Sequence, residues 1–329
     1  MTAELGPFQA GQDVVCRWLA PMNVALVVEE KAEDEHEGDD EDDFQRRSMK
    51  PELPHSLRTV NLDGVTLYLA HPDELPIRWV GQDELMKQLM AAWMIVEPRD
   101  VPMSPRLLGK PGVGKTTLAY AVAKQMGREV YILQATLDTR PEDLLVTPVI
   151  ESEGKLRYVA SPLVTAMIRG GIVIMDEGNR MSEKSWASLA PLLDSRRYVE
   201  SIVAGIKIKA HPDFRLVATM NDDASTFELP EYIHSRLQPQ ILIDFPERDE
   251  ERQILKENLP FVEDQILDYV TDFLQAAHEA DERYTVRDGI NLARFAMKLI
   301  TAGGVSQNAA LRTAVRQTLG EEALRYGQK

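Results

Sequence analysis

Gly109-Lys110-Pro111-Gly112-Val113-Gly114-Lys115-Thr116 is the stretch that decides how this chain is read. A short apolar run, Arg106 to Leu108, precedes it, and a helical stretch, Thr117 to Met126, follows it. The pattern is G-x-x-x-x-G-K-[ST], and a strand before with a helix after is the context it requires. Glycines let the backbone turn tightly, so that N–H groups converge on phosphate oxygens at a helix N-terminus. Lys115 would neutralise β- and γ-phosphate charge, and Thr116 would offer its hydroxyl to Mg²⁺. The residues expected to surround the phosphates are Gly109, Pro111, Gly112, Val113, Gly114, Lys115, Thr116 and Thr117.

The second half of such a site lies 61 residues beyond Lys115. Ile172-Val-Ile-Met-Asp176-Glu177 is an apolar run ending in two carboxylates. A buried parallel strand presents its last residues at the sheet edge where ligands bind. Asp176 is therefore expected to hold Mg²⁺, directly or through water, and Glu177 to polarise the attacking water.

Working outward, residues 76 to about 246 alternate strand and helix. Arg106 to Leu108, Val130 to Gln134, Ile172 to Met175, Phe214 to Thr219 and Gln240 to Ile243 are the strand candidates. That alternation predicts an α/β unit with a parallel sheet between helices. Residues 247 to 329 show helical spacing only, as in Ile266, Val270, Phe273, Leu274 and Ala277, and predict a helical lid. Residues 1 to about 75 form a separate opening region. Within it, Asn23 to Val28 is a strand candidate, and Asp63-Gly64 between apolar runs signals a hairpin.

The net charge of −16 argues against a general nucleic-acid binder. The charge is concentrated, however. Glu29 to Asp43 holds eleven acidic residues and one lysine, which leaves the remainder mildly acidic and a local basic groove open. This run, part of an insertion at about 29 to 50, is expected to be solvated and dispensable for folding and turnover. The single cysteine, Cys16, excludes an intrachain disulfide framework and fits a reducing cytoplasm. The apolar patch Val14 to Val28 is interrupted by Arg17, Pro21 and Asn23 and is too short to span a bilayer. A soluble cytoplasmic protein is expected.

Together with the motifs that follow them, the two site motifs resemble AAA+ ATPases of the MoxR and dynein-related group, over roughly Ile77 to Ile300. The resemblance implies a P-loop core, a helical lid, and ATP with Mg²⁺ as ligands. Trp79-Val80-Gly81-Gln82 resembles the segment that packs around adenine, which adds Val80 and Gly81 to the expected nucleotide contacts. Asn221, in Ala218-Thr-Met-Asn221, matches the polar residue called sensor 1. Arg236, in His234-Ser-Arg-Leu237, matches the arginine finger that reaches a neighbour's γ-phosphate. Arg287, in Thr285-Val-Arg287, resembles sensor 2. Leu144 to Leu163 resembles the helix-2 insertion of this group, and Tyr198 to Ala210 the hairpin before sensor 1. Gly178 departs from the Asp-Glu-Ile-Asn-Arg pattern, although Asn179 and Arg180 match it.

The resemblance further implies a homo-oligomeric ring, with a hexamer as the expected size. It also implies a separate protein partner, such as one bearing a von Willebrand A domain. Remodelling of a protein is the expected activity. A nucleic-acid-associated motor subunit of a restriction or phage-defence assembly is the alternative. Met220-Asn-Asp-Asp223 leaves GTP open beside ATP. A scaffold locked by ATP is the third class.

Overall fold

A computed structural model of the protein describes residues 58–76, 79–151, 154–222 and 229–327. Cys16, the strand candidate Asn23 to Val28, the acidic run and Asp223 lie outside the described residues. Among the described residues no helix is long and apolar enough to cross a membrane.

The chain enters through a hairpin of β1 (Thr59–Leu62) and β2 (Val65–Tyr68). Its turn residues Asp63 and Gly64 both take positive φ, 50° and 85°, as a two-residue hairpin loop requires. Helix α1 (Asp83–Trp93) leads to β3 (Arg106–Gly109), the glycine-rich loop and α2 (Lys115–Gln125). Next come β4 (Val130–Gln134) and the one-turn α3 (Pro141–Leu144). A second hairpin pairs β5 (Val146–Ile150) with β6 (Leu156–Ala160). Helix α4 (Pro162–Arg169) begins where the Ser161 hydroxyl accepts the Val164 N–H at 3.1 Å, a serine N-cap. It feeds β7 (Ile172–Asp176) and α5 (Glu183–Leu189). A third hairpin, β8 (Tyr198–Ser201) with β9 (Ile206–Lys209), precedes β10 (Arg215–Asn221). The unit closes with the one-turn α6 (Glu231–His234) and β11 (Gln240–Leu242).

The central sheet has order β11-β3-β10-β7-β4 and every pairing is parallel. Successive strand residues point to opposite faces. Ile172 and Ile174 of β7 therefore enter the core beneath α1 and α2, while Val173 and Met175 enter the core beneath α4 and α5. Parallel pairing also puts every C-terminal strand end on one edge. Asn221 pairs with Gly109, and Gln134 with Asp176. The two sequence motifs thus reach the same edge because of how the strands are ordered.

The hairpin β1–β2 is not confined to an opening region. It belongs to a four-stranded sheet of order β1-β2-β6-β5, with β2 parallel to β6. An isolated two-stranded hairpin is at best marginally stable. Pairing with β6 buries Leu67 completely and sets the Arg157 guanidinium 3.9 Å over the Tyr68 ring.

The C-terminal part is helical throughout its described residues: α7 (Arg248–Asn258), α8 (Asp264–Glu279), α9 (Val286–Thr301) and α10 (Gln307–Leu319), then a 3-10 segment. Ile266, Val270, Phe273, Leu274 and Ala277 are all buried along one stripe of α8. Gly289 of α9 allows close packing here, since a Cβ at that position would lie 2.6 Å from Leu274.

One lid residue breaks the apolar pattern. Glu251 is fully buried in α7, with Oε2 accepting from Gln275 Nε2 at 2.8 Å and Oε1 unpartnered. Burial pushes its carboxyl up to about 7, against the opposing effect of the Gln275 bond. A raised carboxyl pKa contributes stability that is full below the unfolded value of about 4.5 and is lost as pH rises to about 7. Glu251→Gln should therefore flatten the pH profile of stability across that window. The native chain should lose on the order of 2 to 3 kcal/mol relative to the variant between pH 4.5 and 7.5. Parallel thermal melts across that range check it, and profiles of equal slope would refute it.

Candidate nucleotide site

The loop between β3 and α2 turns on Gly112 (φ 86°) and Gly114 (φ 96°), left-handed conformations that a side chain would strain. Lys115 and Thr116 open α2, so the N–H groups of its first turn face the same edge as the strand ends. The Lys115 ammonium is nearly buried and donates to the carbonyls of Gly109 (2.9 Å) and Lys110 (2.8 Å). Thr116 Oγ1 donates to Asp176 Oδ1 at 2.6 Å, joining the two motifs directly.

Thr219 makes the next connection. Its hydroxyl donates to the same Asp176 oxygen at 2.5 Å and accepts the Glu177 N–H at 3.1 Å. Sequence reasoning did not single it out. The signal was present, because Thr219 lies two residues before Asn221 and thus on the same strand face. Glu177 itself has φ 55° and ψ 39°, a left-handed conformation that costs a non-glycine residue roughly 1–3 kcal/mol. Its carboxylate is fixed on both sides. Asn221 Nδ2 donates to Oε1 at 3.4 Å, and Arg180 Nε forms an ion pair with Oε2 at 2.8 Å. Asn179 Nδ2 in turn donates to the Asn221 carbonyl at 2.8 Å.

Gly178, the departure from the family pattern, has a steric explanation. A Cβ there would lie 3.1 Å from the Trp186 ring, and the Trp186 indole N–H donates to the Gly178 carbonyl at 3.2 Å. Trp186 fills the space that a larger residue at 178 would occupy.

Trp79 through Gln82 flank the loop. Trp79 Nε1 donates to the Gly81 carbonyl at 2.7 Å, and its ring lies 3.0 Å from where a Gly114 Cβ would be. Half-buried Val80 sits between these anchors. Gly81 takes φ 72°, where a side chain is strained, and a Cβ there would push aside the Glu250 carboxylate, whose Oε1 lies 2.5 Å from that position. The same Glu250 oxygen accepts the Gln82 N–H at 2.9 Å. No local pattern could reveal Glu250, since 168 residues separate the partners.

The lid meets the loop at Gly112 and at Lys110, whose Nζ donates to Asp281 Oδ1 at 3.3 Å. A Cβ on Gly112 would approach Thr285 Oγ1 to 2.5 Å. Lys110 Nζ lies 4.6 Å over the Phe245 ring, whose other partner is His278, stacked at 3.7 Å. Burial first, then nearby Lys110, holds the His278 imidazole below its ordinary range. Val113 is buried beside Gly109, Thr117 lies behind Gly114, and Pro111 is exposed at the loop's outer side. Arg287 is exposed on the first turn of α9.

Arg236 stands apart from this cluster. It follows α6 at the opposite, N-terminal edge of the sheet, where Arg106 N–H donates to the Pro239 carbonyl. The length of β3, roughly 10 Å at about 3.3 Å per residue, separates that edge from the glycine-rich loop. Arg236 Nη1 donates to the Tyr232 carbonyl, and its Nε lies 3.9 Å from Asp194 Oδ2.

The donor set suits Mg²⁺, a hard cation that takes one or two protein oxygens and completes its shell with phosphate and water. Thr116 and Asp176 offer such oxygens at hydrogen-bonding distance from each other. Among the described residues no cluster of three His, Cys, Asp or Glu side chains could form an all-protein metal cage.

With β10 interposed between β3 and β7, Asn221 falls between the two motifs, and the lid packs onto the loop; this is the AAA+ P-loop fold. Residues 106–237 match the family described as AAA domain (dynein-related subfamily). An uncharacterized protein of Staphylococcus epidermidis is 27% identical over 172 residues, covering 51% of this chain and 65% of that relative. An uncharacterized protein of Staphylococcus aureus (strain NCTC 8325) matches to the same extent, at 27% over 172 residues and 51% and 65% coverage. The matched segment thus spans 65% of the length of these relatives. Among solved structures, a point mutant of Thermotoga maritima RuvB superposes with TM-score 0.52 at 19% identity, over 73% of this chain and 71% of its own. The Thermotoga maritima RuvB Holliday junction branch migration motor gives 0.50 at 19% identity, over 72% and 70%. At such identity these structures speak to the fold alone.

Proposed function

We propose that the chain is a Mg²⁺-dependent ATPase of MoxR-like type that works as a ring, a hexamer by its resemblance, and remodels a separate protein partner. The observation that carries the ATPase reading is the convergence of Thr116, Asp176, Glu177 and Asn221 at one sheet edge beside Lys115. Loop N–H groups and Lys115 would orient the β- and γ-phosphates. Mg²⁺, held by Thr116 and Asp176, would neutralise charge on the β- and γ-phosphate oxygens. Glu177, oriented by Asn221 and Arg180, would accept the proton of the attacking water. A neighbouring subunit would lend Arg236, because the fold holds each chain's own Arg236 away from its own loop. Val80 and Gly81 would flank the base, and Arg287 would face the nucleotide from the lid. The test is titration of Mg·ATP into the native chain and into Lys115→Ala. The variant should show no saturable binding at concentrations that fill the native site, and native-like affinity would refute the assignment.

Remodelling requires a surface that grips the partner. In the third hairpin Ile206 and Ile208 are buried while Lys207 and Lys209 are exposed. Lys207 is occupied, with Glu200 at 2.8 Å and the Tyr198 ring 4.5 Å beneath it. The turn is apolar and open, Ile202 being 95% exposed. An apolar residue held in water at a hairpin tip points to contact with another molecule. Replacing both Ile202 and Val203 with Asp should abolish stimulation of turnover by the partner and leave basal turnover within about twofold, since neither packs in a core. Turnover assays with and without partner check this. Equal loss of both activities would indicate a structural role.

A further inference from the structure

We infer that Arg106, the first residue of the strand that ends in the glycine-rich loop, is a positioning residue for Arg236. The inference rests on the reading of Arg236 as the residue lent to a neighbouring subunit. Arg106 is 3% exposed, yet among the described residues no carboxylate is bonded to it. Its guanidinium instead grips the segment that carries Arg236. Nη1 donates to the carbonyls of His234 and Leu237, both at 3.0 Å. Nη2 donates to Gln240 Oε1 at 2.6 Å and to His234 Nε2 at 2.7 Å. An arginine can only donate, so His234 Nε2 is the acceptor and the imidazole proton sits on Nδ1.

The two carbonyls bracket Arg236 in sequence. Helix α6 has four residues, too few to hold its own shape, so its geometry depends on what its ends touch. Carbonyls at a helix C-terminus lack intrahelical partners and carry partial negative charge, and a buried guanidinium answers both needs. Ile233 and Leu237 anchor the segment from the apolar side, and Arg106 anchors it from the polar side. The backbone at Arg236 is thereby fixed before and after the finger. Because β3 carries Arg106 at one end and the glycine-rich loop at the other, a shift of that strand at one site is transmitted to the arginine offered to the next.

A misplacement of about 1 Å can cost on the order of a hundredfold in rate. Arg106→Met should assemble, bind Mg·ATP like the native chain and turn over roughly a hundredfold more slowly. The discriminating measurement is mixing. Arg106→Met retains a working loop and has a displaced finger. Mixed with Lys115→Ala, which retains a placed finger, it should regain turnover; mixed with Arg236→Ala, it should not. Damage to the fold as a whole would prevent recovery with either. Should Arg106→Met fail to assemble, His234→Phe combined with Gln240→Leu removes both side-chain acceptors at exposed positions. That double variant should show a smaller loss and the same mixing pattern. The control is Lys115→Ala mixed with Arg236→Ala. If the control recovers while the Arg106 or double variant fails to recover with Lys115→Ala, or recovers with Arg236→Ala, or is never impaired, the inference is overturned and the trans reading stands. If the control itself fails, with mixed assembly verified, the trans reading falls and this inference falls with it.

Discussion

Glu177→Gln should bind Mg·ATP as tightly as the native chain and hydrolyse it at least about a hundredfold more slowly, the usual scale for losing a positioned general base. The substitution keeps shape and removes function in two ways. An amide does not accept a proton from water. It also has one acceptor where the carboxylate has two. The native carboxylate meets Asn221 Nδ2, which donates to it at 3.4 Å, on one side and the Arg180 guanidinium, an ion pair at 2.8 Å, on the other. Whichever way the amide turns, its NH₂ group confronts either the Asn221 donor or the Arg180 cation. Glu177→Asp separates the two effects, because it keeps both acceptors and withdraws them by one methylene. It should be impaired less than the amide if proton acceptance dominates, and as much if placement dominates. Binding by titration and turnover by phosphate release, on the same preparations, make the comparison. A Gln variant with near-native turnover would remove Glu177 from the chemistry. Lys115→Ala should show the complementary phenotype, loss of binding itself, since it removes the charge that holds the phosphates.

The parts of this site that were legible in the sequence are those where backbone conformation or strand termination demands a particular residue type. Asp63-Gly64 announced its hairpin because both positions take positive φ. The glycine-rich loop and the strand ending in Asp176 and Glu177 were legible for the same kind of reason, and parallel order brought them to one edge. What stayed hidden depends on contacts between distant segments. Glu250 is opposite Gly81 because α7 lies against the turn before α1. Glu251, one residue further, is buried against α8 although it sits in a run of charged residues, Arg248 to Arg252, whose other members face water or the core–lid seam. Arg106 reads in sequence as the polar start of an apolar strand, and only the position of the segment from α6 to the start of β11 reveals its four acceptors. The separateness expected of residues before 76 ignored the parallel pairing of β2 with β6, which involves strands some ninety residues apart. Gly178 was visible as an anomaly, but its cause, Trp186, is a partner in space.

Arg236→Ala should lower turnover roughly a thousandfold, the scale associated with a cation that stabilises charge on a transferring phosphoryl group. The chain's own geometry argues that this cation serves another subunit. Arg236 lies at the N-terminal edge of the sheet, beside Pro239 and the start of β3, while Lys115, Asp176 and Glu177 lie at the C-terminal edge. No side-chain rotation spans a strand length, and the Arg236 backbone is fixed by the Arg106 bonds to His234 and Leu237. In a ring of identical chains, however, the N-terminal edge of one sheet can meet the C-terminal edge of the next. Lys115→Ala and Arg236→Ala should then each be inactive alone and active when mixed. In the mixture some interfaces combine an intact loop with an intact finger. For random mixing and independent interfaces, recovery is about a quarter of native turnover, and coupling around the ring lowers it. The readout is turnover at a concentration where the native chain assembles, with mixed assembly verified by pull-down of a tagged subunit. An Arg236→Ala protein that remains active alone would exclude it as the finger. Absence of recovery in verified mixed assemblies would mean that Arg236 does not act in trans, so that the cation completing the site must come from elsewhere, with Arg287 on the first turn of α9 the next residue to test.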